Sequence, residues 1–186
     1  EDVSLDEARR QFEVNVFGLG RLTQLVLPHM RAQRSGTIIN ISSMGGRLTT
    51  PLGGWYHATK YAVEALSDAL RMETAPFGID VVVIEPGGIR TEWSGIAADH
   101  LEETAEGSAY ASQIKAVANS MRSESTNKRQ SPPSVIADTV KKIVTARKPH
   151  TRYVVGFGGK PLLILRRILP DRAFDRVISA ALGVRR

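Results

Sequence analysis

Residues 36–46 read GTIINISSMGG, and residues 53–91 read GGWYHATKYAVEALSDALRMETAPFGIDVVVIEPGGIRT. Each stretch holds a run rich in β-branched residues, at 37–41 and 79–84, that is typical of a buried parallel strand. Between these runs, apolar residues recur at three- and four-residue steps over 56–77, which predicts an amphipathic helix. A strand, a helix and a second strand in this order predict a βαβ unit with a right-handed crossover.

Two side chains with acid–base chemistry open the predicted helix. Tyr56 and Lys60 are four residues apart, so they lie on one face of the helix, one turn from each other. The ordinary pKa of Tyr is about 10, and a neighbouring ammonium stabilises the phenolate and lowers that pKa towards neutrality. The pair predicts proton transfer at an alcohol or carbonyl oxygen. Taken alone it is weak evidence, because Lys is a common residue.

Small polar residues follow both predicted strands. Ser42 and Ser43 follow the first strand, and Pro86 and Gly87 follow the second. Ligands of open α/β sheets bind just beyond the carboxyl ends of the strands, so these positions are suited to contact a substrate or cofactor. The alternative interpretation of the serines is an ordinary turn rich in small polar residues.

The segment before the first strand reads as one long helix, from residue 5 to Arg34, with a kink expected at Pro28. Asn15 interrupts its apolar stripe between two valines. A buried amide needs hydrogen-bond partners, so Asn15 either joins two helices or has a catalytic role. The segment alone favours the helix–helix hydrogen bond.

The second half of the chain has weaker patterns. Residues 92–131 form an insertion with short helices and a polar break at 123–131, which is typical of a lid or binding loop. A helix is predicted at 135–146 and a third strand at 152–156. Residues 161–186 predict two short amphipathic helices that cover the substrate side or a partner, with membrane-surface contact as the lesser alternative.

These elements predict an α/β fold: part of a Rossmann-type, doubly wound parallel sheet in a single domain over residues 1–186. The chain has 186 residues, enough for one compact domain. The absence of Cys excludes a thiolate metal site and a disulfide framework and is compatible with the cytoplasm, and no other metal site is predicted.

Hydropathy excludes a transmembrane helix, and the charge distribution makes nucleic-acid binding the least favoured of the rival functions. The longest apolar stretch near the C-terminus is interrupted by Arg166 and Arg167 and is far shorter than the ~20 residues of a transmembrane helix. The net charge of +6 raises the possibility of a nucleic-acid partner. Because the basic residues cluster late in the chain without a recognised motif or stacking aromatics, we interpret them as a solvated basic face.

From Asp6 to about Gly156 the sequence resembles the short-chain dehydrogenase/reductase family. The family's motifs recur here in order and at matching spacing. The resemblance is carried by four catalytic positions and a P-G-x-x-x-T motif, namely Asn15, Ser43, Tyr56, Lys60, Pro86, Gly87 and Thr91.

The resemblance implies hydride transfer between NAD or NADP and a carbonyl or secondary alcohol. Tyr56 would exchange the proton on the substrate oxygen, and Ser43 would hydrogen-bond that oxygen. Lys60 would lower the pKa of Tyr56 and, like Tyr56, contact the cofactor at its nicotinamide ribose. Asn15 would hold a water that links Lys60 to solvent.

The P-G-x-x-x-T motif would seat the nicotinamide end of the cofactor through Pro86, Gly87 and Thr91. The family's fold begins with a strand and a Gly-rich turn that receives the pyrophosphate, and no G-x-x-x-G-x-G segment precedes Asn15. The sequence therefore looks like the C-terminal part of a dehydrogenase. The parent protein is expected to be active, and residues 1–186 alone are expected to be inactive.

The PGGIRTEW run and the loop after it resemble the branch with retinol and 17β-hydroxysteroid dehydrogenases. This implies a bulky apolar substrate, with Trp93, Tyr110 and Met121 as possible pocket walls, although apolar loop residues usually pack on the body of the protein. Family members also pack the helices over 6–34 and 56–77 across subunits, which implies a homodimer or homotetramer. The rival functions are a non-catalytic oligomerising module and a sugar-nucleotide epimerase.

Overall fold

The computed structural model describes residues 1–184 and shows an α/β fold with one parallel sheet. The strands are β1 Gly36–Ile41, β2 Ile79–Pro86 and β3 Arg152–Val155. The helices in the described residues are α1 Leu5–Phe12, α2 Leu19–Gln33, α3 Gly54–Thr74, α4 Trp93–Glu103, α5 Ala111–Arg122, α6 Glu124–Arg129, α7 Ser134–Thr145, α8 Gly159–Ile168 and α9 Asp171–Ala181. None of these helices combines the length and apolar character that crossing a membrane requires.

The sheet has the order β1-β2-β3, with both pairs of strands parallel, as the sequence predicts. Ile38 lies opposite Val81 in the first pair, and Val83 lies opposite Arg152 in the second. The carboxyl ends of all three strands therefore meet at one edge of the sheet, where Ser43 and Gly87 follow β1 and β2.

Helices cover both faces of the sheet. Successive residues of β2 point to opposite faces, so neighbouring valines pack against different helices. Val81 packs with Ile38 and Ile79 against side chains of α2 and α3. Val82 packs with Ile84 against Ile143 of α7. The helices therefore lie on both faces, which is the doubly wound arrangement predicted from the two buried strands.

The N-terminal helix is interrupted upstream of the predicted position. The kink was expected at Pro28, but α2 continues through Pro28, which is exposed, so water can hydrogen-bond the carbonyl that proline leaves free. The irregular turn is instead a π-helical segment at Glu13–Gly18, which contains Asn15. Such turns widen the helix by one residue and are frequent at functional sites.

Residues 92–131 are more regular than the sequence predicts. They contain α4, α5 and α6, and α6 occupies the stretch that was expected to be a polar break. Arg122 of α5 bonds to Asp99 and Glu102 of α4, which joins the two helices. The periodicity was hard to see because the buried side of this segment includes small residues such as Ala98.

The predicted C-terminal helices are α8 and α9, and they meet at Pro170. Phe174 and Ile178 of α9 bury Leu48, a residue of the loop that follows Ser43. The tail therefore lies against the loop at the carboxyl end of β1. Residues 185–186 of the predicted tail lie outside the described residues.

Candidate active site

The first two turns of α3 present Tyr56 and Lys60 side by side. The Lys60 Nζ atom lies 5.9 Å from the centroid of the Tyr56 ring. The same ammonium donates a hydrogen bond of 3.1 Å to the backbone oxygen of Ile41, the last residue of β1. This bond ties the Lys60 side chain to the strand end that carries Ser43.

Ser43 lies two residues beyond β1 and contacts the tyrosine. Its hydroxyl lies near the Tyr56 phenol and lowers the pKa of that phenol. Its oxygen also accepts a 3.0 Å hydrogen bond from the Gly45 N–H, because Ser43 caps the 3₁₀ turn Met44–Gly46. The structure therefore brings Ser43, Tyr56 and Lys60 together, as their positions in the predicted βαβ unit require.

Burial dominates the electrostatics of this group. The sequence predicts that Lys60 lowers the pKa of Tyr56, but burial raises the pKa of Tyr56 above its ordinary value, and the nearby Ser43 hydroxyl offsets only part of that rise. Burial also lowers the pKa of the Lys60 ammonium. Removal from water disfavours the charged form of each group, which accounts for the opposite directions.

Asn15 joins the π-helical segment to α3. Its Nδ2 atom donates a 3.1 Å hydrogen bond to the Thr59 hydroxyl, which in turn donates a 2.7 Å bond to the Tyr56 backbone oxygen. The helix–helix bond favoured by the sequence is therefore present. The bond contacts α3 at Thr59, between Tyr56 and Lys60 in the chain. Asn15 therefore lies next to the group formed by Ser43, Tyr56 and Lys60.

The segment after β2 is held by backbone contacts with the end of β3. The Gly87 N–H donates to the Val155 oxygen at 2.7 Å, and the Gly88 N–H donates to the Phe157 oxygen at 2.7 Å. A Cβ atom on Gly87 would lie 2.4 Å from the Phe157 oxygen, so this close approach requires glycine. Pro86, which ends β2, leads into this fixed turn.

Thr91 comes directly before the 92–131 segment, and the three predicted pocket walls lie within it. Thr91 is exposed, and its hydroxyl accepts from the Trp93 N–H at 3.4 Å. The Trp93 ring packs on Tyr56 with centroids 5.5 Å apart and remains 52% exposed. Tyr110 lies beside Glu1, whose negative charge raises the pKa of its phenol, and Met121 is half-buried on α5. Of the three predicted wall residues, Trp93 is therefore the one whose ring is seen to pack on Tyr56.

An ion cluster below the site was missed by the sequence analysis. Arg152 of β3 bonds to Glu64 at 3.1 Å and to Asp68 at 2.7 Å, both on α3, and lies 3.2 Å from Glu85 of β2. Arg47 approaches the same Glu85 carboxylate at 3.4 Å. The one signal in the sequence is the four-residue spacing that continues from Lys60 to Glu64 and Asp68.

Three buried oxygens near this cluster lack a hydrogen-bond partner within the described residues: Ser42 Oγ, Glu64 Oε1 and Glu85 Oε2. Glu85 is completely buried, and burial, followed by the Glu64 carboxylate, raises its pKa above the ordinary value. Ser42 directly precedes Ser43, and Glu85 directly precedes Pro86, so the cluster lies next to the predicted site residues.

The family follows from sequence and structure together. The model of the short chain dehydrogenase family matches residues 1–102, more than half of the chain. The chain belongs to this family. The relatives include the uncharacterized oxidoreductase YusZ of Bacillus subtilis, which is 33% identical over 184 residues; the match covers 98% of this chain and 65% of YusZ.

A second relative of this short-chain dehydrogenase is the NADPH-dependent 3-dehydrocapnine reductase of Ornithobacterium rhinotracheale. It is 36% identical over 184 residues, with 95% of this chain and 63% of that protein covered. Among solved structures, a short-chain dehydrogenase from Streptomyces avermitilis matches with a TM-score of 0.73 and 28% identity, over 100% of this chain and 65% of that one. The chain thus spans less than two thirds of the length of these proteins.

Proposed function

We propose that the protein containing this chain is an NAD(P)-dependent oxidoreductase that interconverts a secondary alcohol and a ketone. The observation that carries the proposal is the grouping of three side chains: the Ser43 hydroxyl lies near the Tyr56 phenol, and the Lys60 ammonium lies 5.9 Å from the tyrosine ring centroid. A phenol, a hydroxyl and an ammonium grouped at the carboxyl end of a parallel sheet suit the binding and protonation of a substrate oxygen.

Tyr56 acts as the acid and base. Because burial raises the pKa of its phenol, Tyr56 is protonated at neutral pH and can donate that proton to a carbonyl oxygen. The Ser43 oxygen already accepts the Gly45 N–H, so its own proton is available for the substrate oxygen. In the oxidative direction Tyr56 must first lose its proton to solvent. Its phenolate then takes the proton of the alcohol while Ser43 hydrogen-bonds the alcohol oxygen.

The residues present fit the nicotinamide end of a dinucleotide. Lys60 uses one N–H on the Ile41 oxygen and has two more donors for ribose hydroxyls. Pro86 and the fixed Gly87 turn would hold the nicotinamide ring, and the exposed Thr91 hydroxyl would hold its amide. When bound, this cofactor supplies the hydride chemistry. NAD and NADP are both compatible with these groups, and the reductase relative named above is NADPH-dependent.

Asn15 supports proton exchange at Lys60. Its amide nitrogen is occupied by the Thr59 hydroxyl, which leaves the amide oxygen free to accept from a water. Such a water would let Lys60 exchange protons with solvent.

The substrate that we propose is bulky and apolar, of the steroid or retinoid kind. The support is Trp93, whose ring packs on Tyr56 and leaves a broad apolar surface in solvent beside the phenol. Residues 92–131 would form the lid over that surface. A preference for small polar ketones over bulky apolar ones would contradict this part of the proposal.

We also propose that the protein is a homodimer or homotetramer that packs through the faces of the N-terminal helices and α3. These faces expose large apolar side chains, among them Val14, Phe17, Leu22, Leu66 and Met72. Large exposed apolar faces mark protein contacts. Sedimentation of the whole protein should show a dimer or tetramer, and sedimentation as a monomer alone would rule this assembly out.

The catalytic proposal is tested by Tyr56→Phe in the whole protein, assayed with NADH and NADPH on ketones of different size. Loss of the acid should lower kcat by about 100-fold or more. Tyr61→Phe, on the same helix but exposed, is the matched control and should keep the wild-type kcat. Residues 1–186 alone should show little turnover.

Wild-type turnover by Tyr56→Phe would overturn the catalytic proposal. Absence of turnover in the unmodified whole protein, with either cofactor and every ketone, would instead favour the rival function, a module of this family that oligomerises without catalysis.

A further inference from the structure

His57 is a buried histidine next to Tyr56 that the proposed proton transfer does not use. It lies on α3 and faces the loop that follows Ser43. Its Nδ1 atom is 2.9 Å from the Gly45 oxygen, and its Nε2 atom is 3.1 Å from the Thr50 backbone nitrogen. The ring therefore bonds to both ends of this loop.

The partners of His57 assign its tautomer. The Thr50 N–H can only donate, so Nε2 accepts and carries no proton. The proton is then on Nδ1, which donates to the Gly45 oxygen. Burial lowers the pKa of His57, which keeps the ring neutral and preserves the acceptor at Nε2.

The peptide groups of Gly45 connect His57 to the proposed catalytic serine. The Gly45 oxygen accepts from His57, and the Gly45 N–H donates to Ser43 Oγ at 3.0 Å. Because His57 holds Gly45 in place, the Gly45 N–H donates to Ser43 Oγ from a fixed direction. The serine proton is left to point towards Tyr56 and the substrate oxygen.

Two glycines fit the imidazole closely. A Cβ atom on Gly45 would lie 2.8 Å from His57 Nδ1, and one on Gly53 would lie 2.9 Å from Nε2. Both distances are too short for non-bonded contact, so the ring is seated against bare backbone on both sides. This packing leaves the loop little freedom to move relative to α3.

We propose that His57 is a positioning residue, which holds the loop of residues 43–53 against α3 so that the Ser43 hydroxyl meets Tyr56. The hydrogen bonds and packing define this role in the folded chain. Its effect on turnover rests on the proposed oxidoreductase function. Misplacement of a reacting group by about 1 Å can cost on the order of 100-fold in rate, so a clamp of this kind affects kcat.

The positioning role of His57 is tested first by NMR on the whole protein with ¹⁵N-labelled histidine. At neutral pH the ring should be the neutral Nδ1–H tautomer. A protonated ring or the Nε2–H tautomer would overturn the proposal, and this measurement needs no variant.

Two variants separate the hydrogen bonds from the packing. His57→Leu removes both bonds and should increase amide hydrogen exchange at Thr50 and Gly45 and lower kcat by about tenfold or more, with KM little changed. His57→Asn keeps a donor close to the position of Nδ1 and should restore much of kcat. His100→Leu, at an exposed histidine, is the control and should change none of these values.

The outcomes distinguish this inference from the proposed function. If Tyr56→Phe abolishes turnover while His57→Leu changes neither exchange nor kcat, the clamp is wrong and the oxidoreductase stands. If His57→Leu raises amide exchange but Tyr56→Phe leaves turnover intact, the clamp stands and the catalytic proposal falls.

Discussion

Tyr56, Lys60, Glu64 and Asp68 follow one another at four-residue steps along α3 and share one face of that helix, yet the two halves of this row have different partners. The first half meets Ser43 and the end of β1, and its side chains keep donors and acceptors for a ligand. The second half is bound to the guanidinium of Arg152.

The two halves also differ in how far along the chain their partners lie. Lys60 bonds to a residue 19 positions away, whereas Glu64 and Asp68 bond to Arg152 at separations of 88 and 84. The lower half therefore fixes α3 to β3, across β2. Anchored there, the helix can present Tyr56 and Lys60 at its other end without using their polar atoms for its own attachment.

The largest expected effect comes from removing the anchor. Arg152→Ala would leave the buried carboxylates of Glu64 and Glu85 without their main positive partner. Breaking a buried ion pair from one side typically costs about 3–5 kcal/mol, because the remaining charge stays out of water. Urea denaturation should show a loss of unfolding free energy of about that size.

Arg71→Ala is the matched control for this prediction. Arg71 also pairs with Asp68, but both side chains of that pair are about one third exposed or more. Pairs of this kind contribute about 0–1 kcal/mol. If the two variants lost equal stability, Arg152 would be one more surface partner, and the contrast between the two halves of α3 would disappear.

The fold could be predicted where the pattern is local. Strands β1 and β2 are short β-branched runs and α3 is a long amphipathic segment, so the βαβ unit follows from residues close in sequence. The π-helical segment could not be predicted in this way. Pro28 is the visible helix breaker, but the widened turn at Glu13–Gly18 carries no proline and contains Asn15, whose amide bonds to α3.

The site residues show the same contrast between contacts that follow from local sequence and contacts that depend on the whole fold. Ser43, Tyr56 and Lys60 could be predicted, because the end of β1 and one turn of α3 bring them together. The directions of the pKa shifts of Tyr56 and Lys60 could not be predicted, since burial depends on the whole fold. The role of His57 and the partners of Arg152 were also missed, because a single histidine or arginine has no spacing that reveals its contacts.

The smaller prediction concerns the protonation of Glu85, the buried carboxyl that pairs with Arg152 beside Glu64. Burial and the Glu64 carboxylate raise the pKa of Glu85 above the ordinary Glu value of about 4.3. A carboxyl whose pKa is raised on folding binds its proton more tightly in the folded state. The stability it contributes is present below the unfolded pKa and is lost as pH rises through the folded pKa.

Glu85→Gln removes that titration and keeps the size of the side chain. The free energy of unfolding of the wild type should therefore fall relative to the variant as pH rises above about 4.3, with a slope of at most about 1.4 kcal/mol per pH unit for one proton. Urea denaturation across this pH range measures the difference. Glu73→Gln, at an exposed position of α3, is the control and should run parallel to the wild type.

A parallel course for Glu85→Gln as well would mean that Glu85 gains no proton affinity on folding. Arg152 and Arg47 would then compensate its charge fully. In that case the anchored half of α3 would be a simple ion network, and its stability would be insensitive to pH over the range where Tyr56 stays protonated. A diverging course would instead show that two protons are held beside α3, one on the exchangeable phenol of Tyr56 and one on the buried Glu85 carboxyl of β2.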